Sequence, residues 1–232
     1  ADGTVVAWGD NLDGQSSPPV GLNGVVAVAA GNRHSLALRQ DGTVVAWGNN
    51  ESGQCSIPAG FSNVVAIAAA TSHNRSLALR SDGRLVAWGE SIEVPADLND
   101  VISAASGFGF FVAASANGSV YGSPSFNGNG DVPAGATNVV AVAAGHGHSL
   151  ALRGDGTVVG WGENSNGQAA VPDGLTNVIA IAAGSYNSSA ALMAGPPVIT
   201  TQPLTQKITT GGTANFTVFA AGPGPLSVRW VF

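Results

Sequence analysis

The stretch VVAVAAGNRHSLALRQDGTVVAWG, Val25 to Gly48, decides the fold, because the chain spells it in five versions. Its marker, an Asp-Gly or Asn-Gly dipeptide, falls at Asp2, Asp41, Asp82, Asn117 and Asp155, at successive steps of 39, 41, 35 and 38 residues. Self-similarity at such a period belongs to stacked or radial repeat architectures, and about 40 residues is the length of one four-stranded propeller blade.

Each version opens on a short apolar run: Val25 to Ala30, Val64 to Ala69, Val101 to Ala105, Val139 to Ala144 and Val178 to Ala183. The runs are rich in valine and isoleucine and end at turn signals before they reach helical length, so they read as strands buried on both faces. Ser35 to Arg39 and Thr43 to Gly48 flank an Asp-Gly turn and are expected to pair as a hairpin. After Trp47 comes a polar turn, Asn49 to Gln54, and then Ser56 to Gly60, read as a short outer strand ended by proline. Trp8, Trp47, Trp88 and Trp161 share one phase of the repeat and are expected to pack between blades. Radial repetition of small antiparallel sheets would explain strands that are apolar on both faces.

The stretches Val5 to Gly9, Gly14 with Gln15, Val132 with Pro133, and Val139 to Arg153 carry a resemblance. They resemble the regulator of chromosome condensation repeat family, and within it the short-repeat bacterial branch that includes secreted β-lactamase-inhibiting propellers. The resemblance implies a propeller, usually seven-bladed, whereas this chain holds five copies. It begins in mid-repeat and without methionine, and its last copy stops at the strand Ser188 to Met193. Two closures stay open: a five-bladed ring in which the first and last strands share a blade, or part of a seven-bladed parent from which the chain was cut or processed.

Around Gly195, Pro196 and Pro197 the repeat stops. Residues 198–232, with Phe216, Val218 and Trp230, resemble the opening strands of an immunoglobulin-like domain. Such a sandwich takes about 100 residues, so the segment is incomplete. The expected division is a repeat β-propeller over 1–194 and the start of an immunoglobulin-like domain over 195–232.

Charged residues make up only 9% of the chain, the net charge is −6, and Lys207 is the sole lysine. A nucleic-acid binder needs a basic footprint, and none is visible. Cys55 is alone, so no intrachain disulfide is expected. No apolar run approaches the ~18 residues that span a bilayer. The resemblance to secreted modules and the immunoglobulin-like tail point to an extracellular or bacterial cell-surface location.

The acidic residues give little sign of chemistry. Asp2, Asp41, Asp82 and Asp155 precede glycine in hairpin turns, a structural role. His34 and His148 share a repeat phase just before the second strand and read as core or turn residues. His146 with His148 lacks the cysteine or acidic partners of a zinc site. No nucleophile elbow or triad is recognisable. No catalysis, metal or cofactor is expected.

Recognition is expected on loops. Alternate connections of an antiparallel sheet emerge on one side, so the loop between the first and second strands shares a face with the loop after the third. The first class supplies Arg33, His73, Phe108, Phe110, His146 and Tyr186; the second supplies Asn11, Asn50, Phe126, Glu163 and Asn164. These vary while the framework repeats, as recognition residues do on a rigid scaffold. In the β-lactamase-inhibiting relatives the first-class loops carry aromatic anchors, and arginine and aromatic rings dominate interface hot spots. Phe108, Phe110, Phe111, Tyr121 and Phe126 crowd the irregular third and fourth copies, either as repacking around a lost tryptophan or as a partner patch. The expected function is non-catalytic protein binding, with an architectural spacer or a glycan-binding module as the alternative. A β-lactamase inhibitor or an enzyme acting on polysaccharide are minor ones. A solvent-exposed Trp8 or Trp161 would favour the glycan reading.

Overall fold

The computed structural model describes residues 3–70, 73–90, 93–125, 128–195, 198–201 and 219–221. The repeats fold into three-stranded antiparallel sheets with the strands in chain order. The first sheet is β1 (Val25–Ala30), β2 (His34–Arg39) and β3 (Val44–Gly48), and the second is β4 (Val64–Ala69), β5 (Arg75–Arg80) and β6 (Leu85–Gly89). The third holds β7 (Val101–Ser106), β8 (Phe111–Ser115) and β9 (Val120–Gly122); the fourth, β10 (Val139–Ala144), β11 (His148–Arg153) and β12 (Val158–Gly162). The fifth has two strands, β13 (Val178–Ala183) and β14 (Ser189–Met193). Register repeats with the sequence: Leu36 faces Ala46, Leu77 faces Ala87 and Leu150 faces Gly160. Beyond the repeats, β15 (Val198–Thr201) pairs antiparallel with β16 (Phe219–Ala221). The rest of the expected immunoglobulin-like segment, Val218 and Trp230 included, lies outside the described residues.

The hairpin turns close as their chemistry requires. The Asp41 carboxylate accepts the Thr43 amide at 3.0 Å and the Thr43 hydroxyl at 2.6 Å, and Asp155 does the same with Thr157. These two donors hold both carboxyls below the usual range. Gly83 and Gly118 sit at φ of +77° and +82°, and a Cβ on either would come within 2.8 Å of the Cα of Asp100 or Asn138. That approach lets the turn carbonyl of one sheet take the first strand of the next: Val101 N–H donates to Gly83 at 2.9 Å, and Val139 N–H to Gly118 at 3.0 Å.

A second set of bonds ties the sheets at the other end. The indole N–H groups of Trp47, Trp88 and Trp161 donate to the main-chain carbonyls of Gln15, Gln54 and Asn129, at 2.9, 2.9 and 3.1 Å. The same three carbonyls accept the hydroxyls of Ser35, Ser76 and Ser149. Because Ser76 spends its proton on Gln54, it must accept from His34 Nε2, 3.0 Å away, which fixes the His34 tautomer. His34 is fully buried, and burial pushes its pKa down to about 4. His148 meets Ser189 in the same way at 2.9 Å, and burial lowers its pKa too.

Two expectations are corrected. The fourth, outer strand does not form. Ser56 to Gly60 carry no strand, and the segment ends in a turn in which Phe61 N–H donates to Pro58 at 3.3 Å. Pro58 has no N–H to give a ladder, and the turn instead presents Phe61 edge-on to Trp88 with ring centres 5.8 Å apart. The strand clasp, one of the two closures left open, is not made among the described residues. Val5 to Trp8 lie unpaired beside the first sheet, with Val5 on Leu22, Ala37 and Trp47, and among the described residues no closed ring forms. Contacts between sheets run first to second to third to fourth to fifth, so the sheets make an arc. Burial follows: β5 and β11 are almost wholly buried, while every residue of β14 is exposed. Three of the four repeat tryptophans are packed between sheets, whereas Trp8 at the start of the arc is 85% exposed.

Truncating Trp88 to alanine leaves a cavity and removes one donor from Gln54, and should cost about 3–5 kcal/mol in urea unfolding. Trp8→Ala should stay within about 0.5 kcal/mol, since a surface side chain loses little. His34 gives a pH signature. Its folded pKa lies below its unfolded value of 6.5, so the unfolded chain takes up the proton first. The His34 contribution to stability should fall as pH drops from 6.5 towards 4, by up to about 3 kcal/mol, and be lost below. Thermal melts across that window should show a flatter profile for His34→Gln.

Candidate functional site

The loops between first and second strands, and those after third strands, meet on one side of the arc. Main-chain bonds join them in the first, second and fourth repeats: Asn49 N–H donates to Arg33 at 2.8 Å, Glu90 N–H to Asn74 at 2.7 Å and Glu163 N–H to Gly147 at 2.7 Å. Each first-class loop is short and starts at Gly31, Ala70, Gly107, Gly145 or Gly184, whose N–H bonds the residue that opens the next strand or directly precedes it. Side chains in the middle of these loops therefore stand out from the sheets at one phase.

Four of them form a row. His73 and Phe108 meet edge to face with ring centres 4.2 Å apart; Phe108 and His146 stack at 4.3 Å and 17°; His146 and Tyr186 stack at 5.1 Å and 18°. The row crosses from the second repeat to the fifth. It is pinned below by the Phe108 N–H, which donates to the His146 carbonyl at 3.1 Å. Phe108 is 42% exposed and Tyr186 66%, while the two histidines between and beside them are half-buried. Offset and edge contacts between rings are worth about 0.5–1.5 kcal/mol each beyond area, so the row is held in place before any partner arrives.

The other candidates fall into three groups. Arg33 donates to Asp13 at 2.7 Å, and Asp13 also accepts from Asn49 at 3.0 Å, so the arginine is anchored to the preceding loop with half of its side chain exposed. Asn11, Asn50 and Asn164 lie at one phase, and their side-chain oxygens accept the amides of Ser16, Cys55 and Ala169, each five residues on. They are exposed but fasten their own loops. Glu163 is exposed, accepts from Ser165 at 3.1 Å, and lies so close to Gly147 that a Cβ there would come within 2.5 Å of the carboxylate.

Phe110 corrects the expectation for it. It is fully buried among Val112, Val139, Val142 and Trp161, because it occupies the phase of His34, Arg75 and His148, which all point between sheets. Phe111, at the phase of Ser35, is buried too and packs on Tyr121 with ring centres 5.5 Å apart. Of the crowded rings in the third copy, Phe108 alone among the described residues reaches the face; Phe126 lies outside them. The sequence reading did not find the continuity of the row. The signal for it was a ring at one phase in four successive copies: His73, Phe108, His146 and Tyr186. It also passed over Glu90, whose carboxylate stands 3.9 Å from His73.

The buried His34–Ser76 pair has the atoms of a nucleophilic dyad but the wrong direction. The serine proton points to the Gln54 carbonyl and the imidazole donates rather than accepts, so the pair has no base for the hydroxyl. Among the described residues no three His, Cys, Asp or Glu side chains gather as a metal site would need, and no helix is long and apolar enough to cross a membrane.

With this geometry in hand, known proteins can be set beside the chain. Residues 25–54 and 139–168 match the regulator of chromosome condensation (RCC1) repeat. None of the curated proteins matches. Among solved structures, the ectodomain of the receptor kinase CR4 from Physcomitrella patens is 25% identical with a TM-score of 0.60, over 77% of this chain and 50% of that one. Human WBSCR16 is 24% identical with a TM-score of 0.55, over 72% and 59%. Prp20p of Saccharomyces cerevisiae, studied for its binding properties to Gsp1p and histones, is 21% identical with a TM-score of 0.56, over 69% and 53%. The chain thus spans a little over half the length of Prp20p. Its fold is that of the RCC1-like propellers, and two of its repeats carry the RCC1 sequence pattern.

Proposed function

We propose that this chain is a non-catalytic protein-binding module that uses the loop face of its propeller arc. The observation that carries the reading is the His73–Phe108–His146–Tyr186 row, a preorganised line of rings whose most exposed members, Phe108 and Tyr186, have no packing role inside a sheet. Rigid aromatic side chains supply contact area at low entropic cost and dominate hot spots. Arg33, anchored by Asp13, and Glu90 and Glu163 beside the row give it a polar border. The related fold of Prp20p, with its binding properties to Gsp1p and histones, supports protein recognition as a use of such a scaffold. The low charge and the similarity of the repeats to secreted modules favour a secreted or surface-attached bacterial multidomain protein.

Glycan binding is a second reading, favoured by the exposure of Trp8. That exposure has a separate cause, the missing sheet partner of Val5 to Trp8, and Trp161, at the same phase, is buried.

The test is a quantitative capture of proteins from bacterial envelope and culture supernatant, with purified β-lactamases included as one arm. A Phe108→Ala, Tyr186→Ala variant should lose at least tenfold in affinity for whatever wild type retains, with its melting temperature nearly unchanged. Equal retention by both proteins would remove the row from the interface. Phe110→Ala should instead destabilise by about 3–5 kcal/mol, the cost of emptying a buried aromatic site.

A further inference from the structure

The rings of the loop face spend their faces on one another. Phe108, His146 and Tyr186 are near parallel, with 17° and 18° between successive planes and ring centres 4.3 and 5.1 Å apart, so His146 is covered on both sides. His73 crosses Phe108 at 71° with centres 4.2 Å apart. Between the two histidines the row therefore shows solvent the edge of Phe108, a residue 42% exposed. A sugar ring or a cation seated over an aromatic ring needs an open face. An edge offers a strip of C–H groups instead, against which a methylene chain can lie.

Two carboxylates stand in the repeats on either side of that strip, at equal places. Glu90 and Glu163 each follow the Trp-Gly that ends a third strand, and each is bonded through its amide to the loop that carries a histidine of the row, at Asn74 and Gly147. The Glu90 carboxylate is 3.9 Å from His73 Nε2, and the Glu163 carboxylate lies over Gly147, the neighbour of His146. In the repeat between them, which carries Phe108, the same phase holds the neutral Ser125. The middle of the arc thus presents carboxylate, ring edge and carboxylate across its second, third and fourth repeats.

Charge around this strip is uneven. Arg39, Arg80 and Arg153 bond through their main chains within the Asp-Gly turns, at the opposite end of the sheets, and Arg84 lies in the same turn as Arg80. At the loop end Arg33 is paired with Asp13 at 2.7 Å, and Arg75 is buried, its Nε donating to the Glu90 carbonyl at 3.3 Å. Glu51, Glu90 and Glu163 are exposed there. Where Glu90 has Arg75 in its repeat, Glu163 has His148, whose pKa burial lowers, so at neutral pH that imidazole carries no charge to offset the carboxylate.

We propose that this strip takes lysine or arginine side chains of a partner protein, with their methylene stems along the edge of Phe108 and their charged heads on Glu90 and Glu163. The proposal rests on the reading of the loop face as a protein-binding surface and names the chemistry of the partner, a basic segment. Long basic side chains cover apolar surface with their stems and keep the head in water. An arginine head also pairs a carboxylate through two N–H groups, and the opposite charge steers such a segment to the face.

A random peptide library selected on the full chain, with the Phe108→Ala protein as counter-selection, tests this. Enriched peptides should be rich in lysine and arginine, and their affinity should fall as salt is raised. Glu90→Gln with Glu163→Gln should cost about tenfold in affinity, the order of two exposed ion pairs, with the melting temperature near that of wild type. Glu163→Gln alone should cost more than Glu90→Gln alone, because Arg75 already offsets Glu90. Citrulline in place of arginine, which keeps the stem and loses the charge, should weaken a peptide as the double variant does. Neutral or acidic peptides that need Phe108 but ignore both glutamates would overturn the basic partner and leave the row as a protein-binding surface. No peptide enriched over the counter-selection would overturn the reading of the row and the basic partner with it. A chito-oligosaccharide retained by wild type and lost on Phe108→Ala would do the same in favour of a glycan.

Discussion

The arc depends on a main-chain carbonyl that accepts twice. At Gln15, Gln54 and Asn129 the loop that leaves one sheet stops with its oxygen facing the next, where a serine hydroxyl and an indole N–H close on it from neighbouring strands. Each bond is made in a dry site, where leaving the acceptor empty would cost more than the bond itself contributes. The tryptophan could not be replaced by another large apolar residue without stranding that oxygen. In the third sheet Ser123 stands at the tryptophan position and Tyr121 at the phase of Val45, and the adjustment runs through several positions: Phe111 replaces the serine, and the Ser123 hydroxyl accepts the Phe111 amide at 2.8 Å.

This bond also settles what is structural and what is available. Residues that open second strands turn inward towards the next sheet, and that phase is filled by His34, Arg75, Phe110 and His148 in spite of their different chemistry. Residues one or two places earlier turn outward, and there the rings of Phe108, His146 and Tyr186 accumulate. The loop face is thus built by a shift of one or two residues against a fixed frame. Its rings pack on each other because the sheets beneath are held at a constant spacing.

Much of this was legible in the sequence. The short valine-rich runs and the Asp-Gly turns with their left-handed glycine carry local signals for the strands, but the first strands, read as buried on both faces, leave Val26, Val28, Val65 and Ile179 more than half exposed. The outer strand was misread because Ser56 to Gly60 have the length of a strand but not the donors, and Phe61 gains more from packing on Trp88 than a ladder would return. Phe108 and Phe110 look alike in a loop two residues apart. Only alignment of Phe110 with His34 separates them, and a histidine does not advertise burial. Closure of the ring was not legible at all, since curvature comes from packing between sheets and no single repeat encodes it.

Because every inter-sheet bond is shared between adjacent copies, each repeat carries the donor for one junction and the acceptor for the other. Gly83 and Gly118 at the turn end receive the first strand of the following repeat, and Gln54 and Asn129 at the loop end receive the serine and tryptophan of theirs. A gene that gains or loses a unit carrying both the serine and the tryptophan therefore leaves that seam matched, whereas one that moves the third copy, with Phe111 and Ser123 at those positions, does not. Size in this lineage of modules is free to drift by duplication while the chemistry of each seam stays constant.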